Sequence, residues 1–353
     1  MIASAPLPFP SIKSQGLRVV AIGGGTGLST LLKGLKQYVA EPAGSAPRPP
    51  SLIRDLSAVV TVSDDGGSSG RLRKELNMLP PGDIRNCIVA LSEDDALLSK
   101  LFRHRFDRGS GLEGHSFGNL FLAALTSITN DFSEAVRLSS EILLTRGHIY
   151  PATTSNVELE ASMEDGTAVC GETNITAHRG RIRELRLVPS DVRPMPQTLD
   201  AIARADLITI GPGSLFTSLI PNLLVHGISD AIVASPAIKV YICNLMTQPN
   251  ESLGLTASEH ILAINRHAGR RVFDYALINR TPASSEMKAK YALEGACPIT
   301  ADLDAIRKLD VEPMLGDYLT ELDGIARHNT PRVAEDLMQL ALRLEHATAS
   351  TPK

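Results

Sequence analysis

The chain alternates short runs of consecutive apolar residues with longer segments that are apolar at every third or fourth position. The runs predict strands buried on both faces, and the longer segments predict amphipathic helices packed against them. Strands that alternate with helices favour a parallel sheet with right-handed crossovers, so the pattern indicates a doubly wound, Rossmann-like α/β fold. The predicted strands are Leu17–Ile22, Ser57–Val62, Asp206–Ile210, Lys239–Asn244 and Phe273–Asn279.

The helical periodicity identifies both crossover helices and a larger insertion. Predicted helices include Leu28–Val39, a helix ending at Leu224, Ser258–His267 and a closing helix over Pro331–His346. The same periodicity dominates residues 84–145, which predicts an inserted helical block.

Residues 149–188 break this rhythm with short alternating runs, which predict a small antiparallel β region. Within it, Val157–Met163, an Asp165-Gly166 turn and Thr167–Ile175 predict a β-hairpin.

Three segments lack either periodicity. We expect a single domain over residues 16–347, preceded by a flexible leader over 1–15 and followed by a tail over 348–353. Residues 40–50 are rich in Pro, Ala, Gly and Ser and predict a surface loop insertion. Residues 63–70 combine glycines and serines, which favour turns, and predict a loop without a regular helix or strand.

Composition narrows the class of protein. The 353 residues are 43% hydrophobic and 21% charged, as in soluble globular proteins, and disorder as the main state is excluded. A net charge of −4 without a basic block argues against nucleic acid as a partner. Four cysteines without a C-x-x-C pair favour the reduced cytosol. We expect a cytoplasmic protein, because there is no signal-peptide pattern and the longest weakly apolar stretch, Leu207–Cys243, is too interrupted for a membrane span.

Two glycine-rich loops follow predicted strands and precede helices, where backbone N–H groups bind anions. The first contains Gly23, Gly24, Gly25, Thr26 and Gly27, and the second contains Gly211, Pro212, Gly213 and Ser214, with Thr217 one turn later. The first loop has neither the lysine of a Walker A motif nor the third glycine of G-x-G-x-x-G, so it is a weak signal alone. A turn needed for strand–helix packing is the alternative. Two such loops in one sheet favour a diphosphate ligand.

Acidic and basic residues supply further candidates. Asp64 and Asp65 follow a strand and are candidates to hold Mg²⁺, bind ribose or act as a base; a solvated or capping turn is the alternative. Asp83 is a predicted helix N-cap that places Arg85 and Asn86 in the first helical turn, where Arg85 can meet a phosphate.

Two polar segments complete the candidates. His115, Ser116 and Asn119 open a helix and suit sugar or phosphate recognition, although a lone histidine there is more often structural. Asn244, Thr247 and Gln248 follow another strand and supply groups that read base or sugar edges, with loop capping as the alternative.

Six segments together closely resemble the YvcK family of gluconeogenesis factors, within the CofD/YvcK superfamily. The likeness runs in the family's order from about Leu17 to Leu344. The segments are Ala21–Gly27, Thr61–Arg73, Pro81–Asn86, Gly114–Asn119, Gly211–Ser218 and Met246–Pro249.

The resemblance implies a CofD-like fold and a bacterial regulatory protein, not an enzyme. It implies binding of a UDP-sugar, UDP-N-acetylglucosamine in relatives, and a role in gluconeogenic growth, cell shape and peptidoglycan precursor supply. It also implies glucosamine-6-phosphate synthase or other cell-wall enzymes as partners, and a homodimer. No cofactor is certain, and Mg²⁺ is a candidate ion.

The resemblance also places Tyr291 and Arg327 at positions implicated in UDP-sugar binding. Tyr291 can stack on uracil and Arg327 can pair with a diphosphate, while core packing is the alternative for Tyr291. The rival function is that of CofD, the 2-phospho-L-lactate transferase, which moves a phospholactyl group from a guanosine diphosphate carrier to a deazaflavin alcohol. In that case Asp64 or Asp65 would hold Mg²⁺. A dinucleotide-binding protein is a weaker hypothesis.

Overall fold

The computed structural model describes residues 16–40, 51–92, 97–178, 180–322 and 324–349. The predicted leader, nearly all of the predicted 40–50 loop and residues 350–353 of the predicted tail lie outside these ranges. The strands are β1 (Leu17–Gly23), β2 (Ile53–Val60), β3 (His148–Pro151), β4 (Glu158–Met163), β5 (Ala168–Cys170), β6 (Ile182–Val188), β7 (Leu207–Ile210), β8 (Ile238–Ile242), β9 (Tyr275–Asn279), β10 (Glu312–Gly316), β11 (Leu319–Leu322) and β12 (Ile325–His328).

Helices connect most of these strands. A π-helical turn, Leu215–Leu219, runs directly into α9 (Ile220–Leu224). The helices are α1 (Gly25–Lys36), α2 (Gly67–Leu76), α3 (Gly82–Leu91), α4 (Leu97–Arg103), α5 (Phe117–Thr129), α6 (Phe132–Ile142), α7 (Glu172–Ala177), α8 (Pro196–Arg204), α9 (Ile220–Leu224), α10 (Ile228–Ala234), α11 (Ala257–Ala268), α12 (Ser285–Ala292), α13 (Leu303–Arg307) and α14 (Thr330–Ala349).

A seven-stranded sheet forms the centre, in the order β10-β9-β8-β7-β1-β2-β3, and all of its pairings are parallel. All four residues of β7 are buried, as the uninterrupted apolar runs predict for strands covered on both faces. The doubly wound fold class is therefore confirmed, with five of the seven strands close to their predicted positions.

The strand order changes direction between β1 and β7. From β1 the chain builds outward through β2 and β3, and β7 to β10 later build outward from the other side of β1. In open α/β sheets ligands bind beyond the carboxyl ends of the strands at such a switch point. The loops after β1 and β7 therefore flank the position where the fold favours a ligand.

The prediction of no regular structure over residues 63–70 is wrong for its second half. The helix α2 begins at Gly67, and its first turn packs closely enough that a Cβ on Gly70 would lie within 1.8 Å of the Asp65 carbonyl oxygen. Burial of Ser68, Ser69 and Leu72 stabilises this helix despite its poor intrinsic propensity. Tertiary packing here overrides the turn preference of glycine and serine.

The predicted hairpin is correct in its first strand and turn and wrong beyond residue 170. The strand β5 ends at Cys170, and residues 172–177 form α7. The small antiparallel sheet has the order β5-β4-β6, so β6 supplies its longer pairing. Residues 149–151 were expected in this β region but lie in β3 of the main sheet, paired with β2. The strand β10 and the hairpin β11–β12 were not predicted.

Candidate functional site

The loops after β1 and β7 touch each other at the switch point. A Cβ added to Gly27 would lie 2.3 Å from the carbonyl oxygen of Pro212, so the two loops approach as closely as glycine allows. Thr26 is exposed in the first turn of α1. The second loop is fixed by Asn244, whose amide donates to the Gly213 carbonyl at 2.8 Å and accepts from the Gly213 N–H at 3.3 Å. The structure thus brings together Gly23 to Gly27, Gly211 to Gly213 and Asn244.

Asp83 binds the first loop directly and is not an N-cap. Its Oδ2 accepts the N–H of Gly25 at 2.7 Å, whereas the N-cap position of α3 belongs to Pro81 and Asp83 is the second helical residue. Burial raises the pKa of Asp83 to about 6, the Gly25 N–H opposes this, and the neighbouring Asp64 adds to it. The Asp83 carboxylate thus accepts a hydrogen bond from a backbone N–H of the kind that binds anionic ligands.

Two further carboxylates lie near this region and were not predicted from the sequence: Glu251, which is buried, and Glu172, which is half-buried. Burial raises the pKa of Glu172 to about 8, with added repulsion from Asp64 and Asp83. Burial also raises the pKa of Glu251 to about 7, although its Oε1 accepts from the hydroxyls of Thr217 and Thr176. The raised values identify a strongly acidic crevice.

The two predicted metal candidates differ in their surroundings. Asp65 accepts the N–H and the hydroxyl of Thr173 with the same oxygen, at 2.9 and 2.5 Å, so its side chain connects the loop after β2 to α7. Asp64 accepts the N–H of Gly66 at 2.9 Å and lies next to Gly82. Among the described residues, no three His, Cys, Asp or Glu side chains are placed to hold a metal together.

A polar cluster joins α2, α3 and α5. The Ser68 hydroxyl lies 2.9 Å from Nδ1 of His115 and accepts the Asn119 amide at 3.1 Å. Arg85 lies in the first turn of α3, as predicted, and donates to the Ser116 hydroxyl and to Oδ1 of Asn86, at 2.5 and 2.6 Å. Burial lowers the pKa of His115, and the neighbouring Arg71 lowers it further. These predicted residues therefore form a cluster whose side chains bind one another.

The segment after β8 supports the second glycine loop. Gln248 donates to the Ser214 hydroxyl at 2.7 Å, and the Thr247 hydroxyl accepts the N–H of Cys297 at 3.0 Å. Asn244, Thr247 and Gln248 thus all bind protein groups, as the loop-capping alternative requires. The side-chain oxygen of Gln248, Oε1, is buried and has no hydrogen-bond partner in the described part of the chain.

Tyr291 and Arg327 come together from α12 and β12. The hydroxyl of Tyr291 accepts the N–H of Ala326 at 3.0 Å, next to Arg327 in the chain. His328 in turn lies 3.1 Å from the carbonyl oxygen of Cys243, which immediately precedes Asn244. The hairpin is therefore attached to the carboxyl end of β8. A cavity of about 200 Å³ lies at the ends of β8 and β9 and includes Asn244 and Lys288 in its lining.

A much larger cavity lies elsewhere. It measures about 1420 Å³ and lies along β3, α5 and α6, and none of the predicted site residues lines it. Size alone therefore does not locate the predicted site in this fold.

The unpredicted residues had weak signals in the sequence. Glu172 follows a glycine inside a segment that alternates like a strand, and its approach to Asp64 depends on how the small sheet packs. Glu251 lies at the end of the segment after β8, where the prediction rested on Asn244, Thr247 and Gln248 and did not include the glutamate.

No single helix of the described ranges is long and apolar enough to cross a membrane. One bent pair, Leu215–Leu224 with Ile228–Ala234, passes that test by length and composition alone.

Comparison with known proteins agrees with this architecture. The model of the family 2-phospho-L-lactate transferase CofD matches residues 19–319. The chain is 48% identical to the gluconeogenesis factor of Halalkalibacterium halodurans, over 91% of this chain and 95% of that protein. It is 46% identical to the gluconeogenesis factor of Bacillus subtilis, over 92% and 98%.

Solved structures give the same result. A crystal structure of a protein from Bacillus halodurans superimposes with a TM-score of 0.85 at 48% identity, covering 92% of this chain and 99% of that one. A second crystal structure, of a member of the UPF0052 family from that organism, gives 0.84. Because the family model spans most of the chain and the relatives match it nearly end to end, the chain belongs to the CofD/YvcK family, and its relatives there are gluconeogenesis factors.

Proposed function

We propose that the protein is a cytoplasmic regulator that binds a UDP-sugar, UDP-N-acetylglucosamine, at the switch point. The observation that carries this proposal is the contact between the two glycine-rich loops, where Gly27 leaves no room for a side chain beside Pro212. Two helix N-terminal loops side by side offer backbone N–H groups to two neighbouring phosphates. The relatives' name, gluconeogenesis factor, supports a regulatory role in carbon metabolism.

The acidic crevice places a condition on this ligand. Asp64, Asp83 and Glu172 interact with one another, and a free diphosphate brought beside them would be repelled. Mg²⁺ in proteins usually takes one or two carboxylates and completes its shell with water and substrate phosphates. Asp64 and Asp83, whose charges interact, suit such a shared ion. The proposed complex is therefore UDP-sugar with Mg²⁺.

The remaining parts of the ligand would contact the β8 side of the crevice. Tyr291 offers an aromatic face for uracil and Arg327 a planar cation for the diphosphate. Both are held by the hairpin contacts that reach Ala326 and Cys243. In the cell we propose that the liganded protein adjusts peptidoglycan precursor supply and cell shape through glucosamine-6-phosphate synthase or another cell-wall enzyme.

Isothermal titration calorimetry with UDP-N-acetylglucosamine, with and without Mg²⁺, tests the function. We expect binding that strengthens with Mg²⁺ and weakens at least about tenfold in Arg327→Ala and in Tyr291→Ala, since a charge-assisted contact contributes about 1.5–3 kcal/mol. The matched control is Arg307→Ala, an exposed arginine paired with Asp304 on α13. Absence of binding to the unmodified protein would refute the function. Unchanged binding in both variants would refute only the assigned residues.

A second candidate function is CofD-type phospholactyl transfer, which the family model favours. Incubation with a guanosine diphosphate-linked donor and a deazaflavin alcohol decides between the two. Product that disappears in Asp64→Asn would establish the transferase. Asp65→Asn is a poorer test, because it also removes the contact with Thr173.

A further inference from the structure

A third cavity carries three arginines. It measures about 230 Å³ and lies between β6 and α11. Arg181 and Arg183 reach it from the start of β6, and Arg266 reaches it from the last turn of α11. All three side chains are exposed. In the described part of the chain, none of the three has a carboxylate at ion-pair distance or a hydrogen-bond acceptor.

These three unpaired arginines differ from Arg186, which lies further along β6 and has a carboxylate partner. Arg186, also on β6, donates to Glu160 at 2.6 Å. Three guanidinium groups that line one cavity without such a partner provide planar N–H donors that match the oxygens of a phosphate. The cavity therefore has the chemistry of an anion site.

The walls of the cavity are fixed. Nδ1 of His267 lies 2.7 Å from the Ala263 carbonyl oxygen, and its Nε2 accepts the N–H of Leu185 at 3.0 Å. These contacts fix the ring in its neutral form, and it packs edge-on against Phe216 at 5.9 Å. A wall that is already fixed favours binding because few side chains lose conformational freedom when the ligand binds.

One buried acceptor in the lining is unsatisfied. Glu251 is 4% exposed, and its Oε2 has no hydrogen-bond partner among the described residues. Two other carboxylates line the cavity, Glu164 and Glu259, and Glu259 already accepts the N–H of Thr256 at 2.8 Å. A ligand that combines an anionic group with a hydroxyl donor would satisfy both the arginines and Glu251.

We propose that this cavity binds a small phosphate ester that carries free hydroxyl groups. The phosphate pairs with Arg181, Arg183 and Arg266, and a hydroxyl donates to Oε2 of Glu251. A volume below the roughly 300–1,000 Å³ of sites for drug-sized ligands limits the ligand to a small metabolite. The site is connected to the switch point because the other oxygen of Glu251 accepts from Thr217, which follows the second glycine loop.

Calorimetry with glycerol 3-phosphate at low salt tests the proposal on the full chain. We expect binding by the unmodified protein that weakens as salt increases. We expect the double variant Arg181→Gln/Arg266→Gln to bind at least about tenfold more weakly, through loss of charge-assisted hydrogen bonds. Arg186→Gln is the matched control on the same strand, and its affinity for the ester should stay within twofold of that of the unmodified protein.

The outcomes separate this site from the switch point. The double variant should still bind UDP-N-acetylglucosamine. A negative result with one ligand therefore does not refute the site proposed for the other. No binding of glycerol 3-phosphate, or equal affinity in the double variant, would overturn the proposed site. Inorganic phosphate bound as tightly as glycerol 3-phosphate would overturn the assignment of an ester, since it has no carbon-borne hydroxyl for Glu251.

Discussion

At the scale of single residues, Gly27 shows that the two glycine-rich loops can touch only where a side chain is absent. Replacing it by alanine would place a methyl group 2.3 Å from the Pro212 oxygen, well inside contact distance, so one of the two loops must move. We expect Gly27→Ala to lower the free energy of unfolding by about 1–3 kcal/mol, the usual cost of overpacking. Urea denaturation followed by circular dichroism measures this.

The matched control for that substitution is Gly66→Ala. Gly66 has an extended backbone, with φ near −91°, and the nearest atom to an added Cβ would be 3.4 Å away. Its replacement should cost much less stability than that of Gly27. Equal losses in the two variants would show that the contact between the glycine loops is not what makes Gly27 necessary.

At the scale of elements, α7 connects the small antiparallel sheet to the main sheet. Thr173 binds Asp65 after β2, Thr176 binds Glu251 after β8, and Asn250 donates to the Thr176 carbonyl oxygen at 3.2 Å. One short helix is thus attached to loops from both sides of the switch point. It also carries Glu172 into the crevice.

Removing one of these contacts should loosen α7 without unfolding the protein. Thr173→Val deletes the hydroxyl that donates to Asp65, a contribution of about 1 kcal/mol. We expect faster amide hydrogen exchange over residues 171–177 and little change in the midpoint of global unfolding. Thr320→Val is the control, since that hydroxyl binds the Arg327 carbonyl oxygen within its own hairpin. Unaltered exchange in Thr173→Val would contradict the connecting role of α7.

How much the sequence predicts differs between these elements. The apolar runs located β1, β2, β7, β8 and β9, and the glycine loops followed from where those runs end. Residues 172–175 were predicted as part of a strand because their alternation resembles that of β4, and a helix as short as α7 has a weak intrinsic propensity. The hydrogen bond between Tyr291 and Ala326 and the electrostatic interaction between Glu172 and Asp64 join distant segments, and periodicity carries no information about such pairings.

At the scale of the whole molecule, carboxylates from separate parts of the chain meet in one crevice. Asp64 and Glu251 lie in loops that follow strands, whereas Asp83 and Glu172 lie in the first turns of α3 and α7. The fold brings the other three side chains close enough for their charges to interact with Glu172. Each added negative charge makes ionisation of the next more costly. Burial raises the pKa of both Glu172 and Glu251, and the neighbouring carboxylates raise that of Glu172 further. The ligand-free protein therefore favours protonated forms of both residues relative to the unfolded chain, where glutamate has a pKa of about 4.3.

This charge predicts how the stability of the ligand-free protein depends on pH. The folded pKa values of Glu172 and Glu251, about 8 and about 7, lie above the unfolded value, so their contribution is present below about pH 4.3 and is lost as pH rises toward 8. We expect the double variant Glu172→Gln/Glu251→Gln to lose less unfolding free energy than the unmodified protein between pH 5 and 8, as measured by urea denaturation. Glu158→Gln, exposed on β4, should keep the original slope. Parallel pH profiles for the double variant and the unmodified protein would mean that the crevice does not hold these carboxyl groups in their protonated form.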